Sequence, residues 1–290
     1  MIEPRSAVRR RVRFRRILLA LDTAFGDQAA MERATALAAR LHGELMALYV
    51  EDIDLVRLAE HGSISALSTV TAAPCEVSTC HLRDTLRLQV ARARRELERT
   101  AARRKVKCAF QVRQGRLLAE VLGIAADDDL VVIGWYGGRS APPWAGSTPA
   151  TAVAQGLAEA RARSVLLLHP GTPAGGRVLI AFDGSERAWH ALAIGTQIAE
   201  LENAPIDVAL LAGRIGEAEQ WGGEIRASLA ESGLVVTLLH TPKAGLGTLT
   251  EIALRHHSGL LVLDAERTLA ENEAGRRLLQ RVLCSVLLVR

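Results

Sequence analysis

The chain contains the same strand signature twice, and each copy stops at an aspartate. Residues 16–22 (RILLALD) return as residues 177–183 (RVLIAFD), and residues 164–168 (SVLLL) return as residues 285–289 (SVLLV). Apolar runs of this length, without alternation of polar and apolar residues, are typical of strands buried on both faces of a parallel sheet. The repeat therefore predicts two copies of one α/β domain, each beginning and ending with a buried strand.

Strand and helix patterns alternate between these repeated segments. The first half carries five strand patterns separated by four helical patterns, and the second half repeats this order in a shorter form. Right-handed crossovers between parallel strands place helices on both faces of a sheet. The 290 residues are enough for two domains that each bury a core. We predict a basic N-terminal arm at residues 1–14, a first domain at 15–170, a linker at 171–176 and a second domain at 177–290.

Two segments of the first half differ from the rest in composition. The segment from Gly62 to His81 is rich in Ser, Thr and Ala and has neither a helical nor a strand period, which predicts a mobile loop. After it, apolar residues recur at three- and four-residue steps from Leu86 to Ala101, which predicts an amphipathic helix. Its arginines fall largely outside the apolar stripe and indicate a basic outer face.

Composition limits the classes of protein that the chain can belong to. No apolar run approaches the roughly 18 residues that a membrane span requires, and the four cysteines show no paired spacing. We therefore expect a cytoplasmic protein without a membrane span. The net charge of +4 comes from arginines clustered before the first strand and on the basic helix. Because no nucleic-acid reading motif accompanies them, we expect no specific nucleic-acid binding.

The sequence lacks the motifs that carry catalysis or bind metals. It has no phosphate loop with a lysine, no nucleophile elbow and no zinc-binding pair of histidines on one helix face. His256 and His257 are adjacent, so on a helix they would point about 100° apart and could not bind one ion together. We therefore expect no catalytic residue, no metal site and no enzymatic activity.

Candidate ligand-binding residues follow two strands of the first half. Asp22 ends the first strand, Gly134 ends the fourth, and Gly137 and residues 146–148 (Gly-Ser-Thr) come after it. Ligands of open parallel sheets bind at the carboxyl ends of strands, near the point where the strand order reverses. Glycines let the backbone approach a phosphate chain, and hydroxyls and N–H groups at the start of a helix supply hydrogen-bond donors. These residues indicate a phosphate-binding edge.

With these motifs the chain resembles a tandem universal stress protein over nearly all of both halves. The resemblance rests on Asp22, on the family-typical Asp183-Gly184-Ser185, and on Gly134 and Gly137 ahead of Gly146-Ser147. It implies two flavodoxin-like, Rossmann-like domains, each a five-stranded parallel sheet of order 3-2-1-4-5 with helices on both faces. It also implies that the two closing strands lie close together as an internal pseudo-dimer, while a further homodimer stays open.

The resemblance also implies ATP, or a related adenine nucleotide, as the ligand of the first domain. Asp22 would bind the ribose or adenine end, the backbone near Val50 would contact the base, and the glycines and hydroxyls would hold the ribose and phosphates. The residues implied for nucleotide binding are Asp22, Thr23, Val50, Gly134, Gly137, Gly146, Ser147 and Thr148.

The second half keeps the first-strand aspartate but not the glycines. Asp264 holds the position of Gly134, and Arg267 holds that of Gly137. A carboxylate directed at a phosphate would repel it. We therefore expect this half to bind no ATP and to have a structural or regulatory role, and we expect Asp183 to cap the turn that follows it.

Two hypotheses of function follow. The first is a cytoplasmic stress-response regulatory protein that binds an adenine nucleotide in its first domain without catalysis and acts on a protein partner. The second is a nucleotide-independent adaptor that docks an acidic partner through its Arg-rich surfaces. The second is favoured by Asp264, by Pro142 and Pro143, and by a spacer of eight residues after Gly137 where the family motif has nine.

Overall fold

The computed structural model describes most of both halves of the chain. The described residues are 12–22, 28–53, 57, 64–67, 74–77, 79–134, 156, 164–169, 172, 175–242, 245–270 and 272–290. The strands are β1 Arg16–Asp22, β2 Glu44–Asp52, β3 Ile64–Leu67, β4 Pro74–Val77, β5 Cys108–Gly115, β6 Asp129–Gly134, β7 Ser164–Leu168, β8 Arg177–Phe182, β9 Ile206–Leu210, β10 Val236–His240, β11 Ser258–Asp264 and β12 Ser285–Val289. The helices are α1 Gln28–Leu41, α2 Thr79–Arg104, α3 Leu117–Ile124, α4 Glu186–Glu202, α5 Ile215–Leu229, α6 Leu246–Arg255, α7 Ala265–Ala270 and α8 Asn272–Arg281.

Ten of these strands form a single sheet of order β10-β9-β8-β11-β12-β7-β6-β1-β2-β5. The five strands that the first half contributes follow the order 3-2-1-4-5, and the five from the second half follow the same order. Neighbouring strands within each half are parallel. The strand order expected for each half is therefore observed.

The two halves meet where their closing strands pair. β7 and β12 are antiparallel, with Leu167 opposite Val286 and Val165 opposite Leu288. An unpaired edge strand exposes a row of backbone N–H and C=O groups, and each closing strand covers the edge of the other. The two five-stranded sheets expected from the sequence are thus merged into one ten-stranded sheet.

The segment expected to be a mobile loop, residues 62–81, contains regular structure. β3 and β4 form a separate antiparallel pair, with Ile64 opposite Val77 and Leu67 opposite Pro74, and α2 already begins at Thr79. The loop prediction is therefore wrong for these residues. Strands of four residues are too short to establish a period, and Pro74 is tolerated because it is the first residue of its strand.

The remaining expectations concern the closing helix of the second half and three segments that lie largely outside the described residues. One closing helix was expected in the second half, and two short helices, α7 and α8, are found there. The helix expected around residues 152–158 and the basic arm at 1–14 lie almost wholly outside the described residues. Of the expected linker, the structure describes only Thr172, Gly175 and Gly176.

Side chains of the sheet alternate between two apolar cores, one on each face. In β1, Leu19 belongs to the core under α1, α2, α4 and α5, whereas Leu18 belongs to the core under α3, α6 and α8. Both cores contain residues from both halves. Helices therefore cover both faces, as expected, and the two halves share continuous apolar cores.

Helix α2 has the amphipathic form that its spacing predicts. Leu86, Ala93, Leu97 and Ala101 are buried, and Ala93 and Leu97 belong to the apolar core on this face of the sheet. The arginines of the second half of the helix point to solvent, and one of them, Arg94, lies with its guanidinium 5.1 Å from the centre of the Phe110 ring.

The repeated first-strand arginines make different ion pairs in the two halves. In the first half, Arg16 donates two hydrogen bonds to the buried carboxylate of Asp129, from Nε to Oδ1 at 3.1 Å and from Nη2 to Oδ2 at 2.5 Å. Asp129 lies beside it at the start of β6. Hydrogen bonding to Asp129 is the main cause that raises the pKa of Arg16 above its ordinary value.

The second half forms its ion pair with an acid from another strand. Arg177 Nη1 donates to Asp207 Oδ1 at 2.7 Å, and the other oxygen of Asp207 lies 2.7 Å from His256 Nδ1. Asp207 is on β9 and is fully buried, and the register gives it the position that Met46 holds on β2. The carboxylate that pairs with the first-strand arginine is therefore on the fourth main strand in the first half and on the second main strand in the second half.

A second polar cluster fastens the two halves together near the linker. The carboxylate of Glu202, at the end of α4, accepts hydrogen bonds from Arg33 Nη2 of α1 at 3.1 and 3.3 Å and from the backbone N–H of Gly175 at 3.0 Å. Arg40 of α1 also donates to the carbonyl of Leu201. Both partners of the Arg33–Glu202 pair are nearly buried, with side-chain exposures of 12% and 6%.

Replacing Glu202 with alanine is expected to lower the free energy of unfolding by about 2–3 kcal/mol, because Arg33 is left nearly buried without its carboxylate. Urea denaturation measures this change. Glu251→Ala, which removes an exposed carboxylate from α6, serves as the matched control and should change stability by less than about 0.5 kcal/mol. Equal effects of the two substitutions would contradict the role assigned to Glu202.

Candidate functional site

The first half brings three of the predicted site residues to one edge of the sheet. β1 lies between β2 and β6, and Asp22 is directly opposite Val50. On the other side of β1, Ala20 is opposite Ile133, so Gly134 ends β6 next to the end of β1. The carboxyl ends of the first, second and fourth main strands of this half therefore form one continuous edge at the point where the strand order reverses.

The structure describes only part of the predicted site. Val50 and Gly134 are buried, so a ligand there would meet backbone rather than exposed side chains. Thr23, Gly137, Gly146, Ser147 and Thr148 lie outside the described residues, as does the side chain of Asp22. Their roles stay predictions.

Charged residues on the neighbouring strand β5 extend this edge and were not singled out in the sequence. Arg113 is opposite Val50, and its Nη1 lies 3.3 Å from Glu120 Oε2 on α3. A Cβ at Gly115 would come within 2.6 Å of Glu120 Oε1, so glycine at this position leaves room for the glutamate. The charge of Arg113 near the end of a predicted strand could have drawn attention to it. Its pairing with Glu120 could not be predicted from residue spacing, because Glu120 lies on a different element.

The corresponding edge of the second half presents two aspartates. Asp183 follows β8 and Asp264 ends β11, and the strand register gives Asp264 the position of Gly134. Asp183 Oδ1 accepts the backbone N–H of Ser185 at 3.0 Å, which confirms that Asp183 caps the turn after β8. Asp264 Oδ1 accepts the N–H of Glu266 in the same way, at 2.9 Å. Both carboxylates thus stabilise the starts of the segments that follow their strands.

A small cleft lies between these aspartates. Its apolar walls include Leu211, Leu246 and Leu263, and it encloses about 10 Å³. A space of this size holds about one water molecule. A nucleoside phosphate would have to displace leucine side chains and approach two carboxylates, so the arrangement disfavours nucleotide binding in this half.

Aromatic side chains fill the space beside the second-half edge. Gly184 has a φ of +79°, and a Cβ there would overlap the ring of Trp221 from α5. The Trp221 ring meets Phe182 edge-to-face with centroids 5.7 Å apart, and Phe182 meets Trp189 at 4.9 Å. Gly184 therefore permits the positive φ of the turn and leaves room for the indole of Trp221. This contact could not be predicted from local spacing, because Trp221 is 37 residues along the chain from Gly184.

The two edges lie at opposite ends of the strands. Because β7 and β12 are antiparallel, the carboxyl ends of the first-half strands and those of the second-half strands point in opposite directions. The candidate site of the first half and the cleft of the second half are therefore separate and cannot share one small ligand.

Neither metal ligands nor reactive thiols are gathered in the part of the chain that the structure describes. No group of three or more His, Cys, Asp or Glu side chains there could hold a metal ion. Cys108 and Cys284 are free thiols, and burial raises the pKa of Cys284 to about 12. Burial also raises the pKa of Cys108. Cys75 and Cys80 have side chains outside the described set.

Comparison with known proteins supports the fold. A universal stress protein from Archaeoglobus fulgidus superposes with a TM-score of 0.59 at 10% identity, over 94% of this chain and 98% of that one. A putative universal stress protein from Pseudomonas aeruginosa UCBPP-PA14 gives 0.57 at 17%, over 95% and 93%. A functionally unknown protein from Pseudomonas aeruginosa PAO1 gives 0.54 at 17%, over 95% and 92%. The chain therefore has the fold of universal stress proteins along nearly its whole length.

Comparisons with family models and with curated proteins found no relative, and no membrane-spanning helix was found among the described residues. No family model matches the sequence, and no curated protein matches it. In the described part of the chain, each helix is too short or too polar to cross a membrane.

Cys284 is expected to resist alkylation in the native protein at neutral pH, because a thiol with a pKa of about 12 is almost entirely protonated. Iodoacetamide labelling followed by peptide mass spectrometry measures this. Labelling should become complete after denaturation, which provides the internal control. Equal labelling rates in the native and denatured protein would contradict the burial of this thiol.

Proposed function

We propose that the chain is a stress-response regulatory protein that binds ATP or a related adenine nucleotide in its first half and catalyses no reaction. In this proposal residues 15–170 and 177–290 are two universal stress protein domains in tandem, and the protein acts in the cytoplasm. The second domain has a structural or regulatory role.

The observation that carries the proposal is the difference between the two strand-end edges. The strand register gives Gly134, which has no side chain, the position at which Asp264 carries a carboxylate in the other half. A backbone without side chains can approach a phosphate chain closely, whereas a carboxylate at the same position repels it. This difference supports nucleotide binding in the first half rather than in the second.

The sequence around this edge supplies the groups that a nucleotide requires. Asp22 ends β1 and in this proposal accepts hydrogen bonds from ribose hydroxyls, while the backbone of Val50, directly opposite it on β2, contacts the base. Thr23, Gly137 and residues 146–148 would complete the ribose and phosphate contacts. The proposal assigns binding and not hydrolysis, in keeping with a sequence that has no nucleophile elbow and no zinc-binding pair of histidines.

The first test asks whether purified protein carries or binds an adenine nucleotide. The protein is denatured as isolated, released nucleotide is identified by mass spectrometry, and thermal unfolding is followed with added ATP. We expect one nucleotide per chain or an ATP-dependent stabilisation, which would reach about 2.7 kcal/mol at 100 times the dissociation constant. Gly134→Asp should abolish both effects.

The control for this variant is Gly123→Asp. Gly123 lies on α3, where an added Cβ meets nothing within 4 Å, so the substitution adds the same carboxylate at an open position. It should leave nucleotide binding unchanged. Absence of any adenine nucleotide in wild type, even at millimolar ATP, or identical ATP responses of wild type and Gly134→Asp would overturn the proposal.

The exposed arginines of α2 favour a second candidate, the nucleotide-independent adaptor. In that case an acidic protein partner would bind the basic helix face in a salt-sensitive manner. Arg92→Glu together with Arg95→Glu should abolish capture of such a partner in a pull-down, whereas Gly134→Asp should not affect it. Capture that persists after both arginine substitutions would contradict the adaptor role.

A further inference from the structure

The second half of α2 and the turn that leads from it to β5 carry an excess of positive charge. Residues 92–107 contain eight Lys and Arg against two Glu. Other helices of the protein do not share this excess, since α4 and α5 each carry three glutamates and one arginine. The exposed basic residues of the segment are here called the basic surface: Arg92, Arg95, Arg99, Arg103, Arg104, Lys105 and Lys107.

Four arginines of the basic surface form a line along the outer side of α2. They follow one another at three- and four-residue steps, which places them on one side of a helix. Ala93 and Leu97 occupy the opposite side and belong to the apolar core. At a rise of 1.5 Å per residue the line is about 16 Å long. It consists of Arg92, Arg95, Arg99 and Arg103.

The folding of α2 requires only part of this charge. Basic residues in the last turn of a helix interact favourably with its dipole, which accounts for Arg103 and Arg104. Arg99 is paired with Glu96 at 2.6 Å, but both side chains reach solvent, and an exposed ion pair contributes little stability. Arg95 Nε donates to the uncharged carbonyl of Ala91 at 3.2 Å. The line as a whole is therefore available to a partner.

The side chains around the line indicate the kind of partner. Protein interfaces are anchored by aromatic and apolar side chains, and a helix that lies on a membrane inserts its apolar side. Residues 92–107 contain no aromatic residue. Their large apolar side chains are the buried Leu97 and the half-buried Val106, both packed toward the core. The basic surface thus offers charge and hydrogen-bond donors, which suit a partner with negative charge along its length.

The phosphate backbone of duplex nucleic acid has this property. Guanidinium groups bind phosphates through two parallel hydrogen bonds. The line is longer than the roughly 12 Å width of the major groove of DNA, so arginines at its two ends can reach phosphates of both strands. Single strands are bound largely by stacking of bases on aromatic side chains, which the segment does not contain. These observations favour a duplex.

We propose that the basic surface binds the phosphate backbone of duplex nucleic acid without preference for sequence. The four arginines of the line contact phosphates, and Lys105 and Lys107 add to the attraction. Binding of this kind has dissociation constants of about 10⁻⁴ to 10⁻⁶ M at physiological salt. The basic surface leads into the amino end of β5, whereas the candidate nucleotide site lies at carboxyl ends of strands. The activity is therefore separate from nucleotide binding.

Fluorescence anisotropy with labelled DNA and RNA duplexes, each in two unrelated sequences, tests the proposal. Wild type should bind the two sequences of a duplex equally, and the logarithm of its affinity should fall with the logarithm of salt concentration with a slope of about 4, because each phosphate contact releases counterions. Arg95→Gln with Arg99→Gln should raise the dissociation constant about tenfold for both sequences and lower the slope by about 2. Arg92→Gln with Arg103→Gln should have the same effects.

The control is Arg226→Gln with Arg255→Gln, which removes two exposed arginines from α5 and α6 and changes the net charge equally. It should leave the dissociation constant and the slope unchanged, and circular dichroism verifies that each variant is folded. No binding of either duplex by wild type at low salt, an equal loss of affinity in the control, or tighter binding of a single strand would overturn the proposal. Binding to anionic lipid vesicles or to an acidic protein, without binding to a duplex, would also overturn it.

Discussion

The antiparallel pairing of β7 with β12 determines the arrangement of the rest of the molecule. It turns two five-stranded sets of parallel strands into one ten-stranded sheet and leaves both apolar cores continuous across the junction. It also directs the carboxyl ends of the two halves to opposite edges. The nearly buried pair of Arg33 and Glu202 strengthens the same junction from the side of the linker.

Within this nearly symmetric frame, the two halves have diverged at equivalent positions. Gly134 corresponds to Asp264 at the strand-end edge, and Met46 corresponds to the buried Asp207 at the other end of the strands. In the second half the carboxylates stabilise local turns and an indole fills the space beside Gly184. These features stabilise the fold of the second half and fill the space at its strand-end edge.

Much of the fold could be predicted because the buried strands are continuous apolar runs that recur in both halves, and because the resemblance to universal stress proteins implied their order. The amphipathic pattern of α2 likewise predicted which of its faces is buried. The hairpin of β3 and β4 could not be predicted, since strands of four residues, whose paired residues are seven to thirteen positions apart, are too short to show a period. The carboxylate partners of Arg16 and Arg177 could not be predicted either, because each partner lies on a different strand, far along the chain from its arginine. At the candidate site, the sequence identified Asp22, Val50 and Gly134, which the sheet brings together, but not the pairing of Arg113 with α3.

The central claim is that a nucleotide binds at the first-half edge and not at its counterpart. Photoaffinity labelling with an azido-adenine nucleotide, followed by peptide mapping, tests the location directly. The account predicts that labelled peptides come from the carboxyl ends of β1, β2 or β6 and that excess ATP suppresses the labelling. Label concentrated between Leu246 and Thr268, around the cleft of the second half, would contradict it.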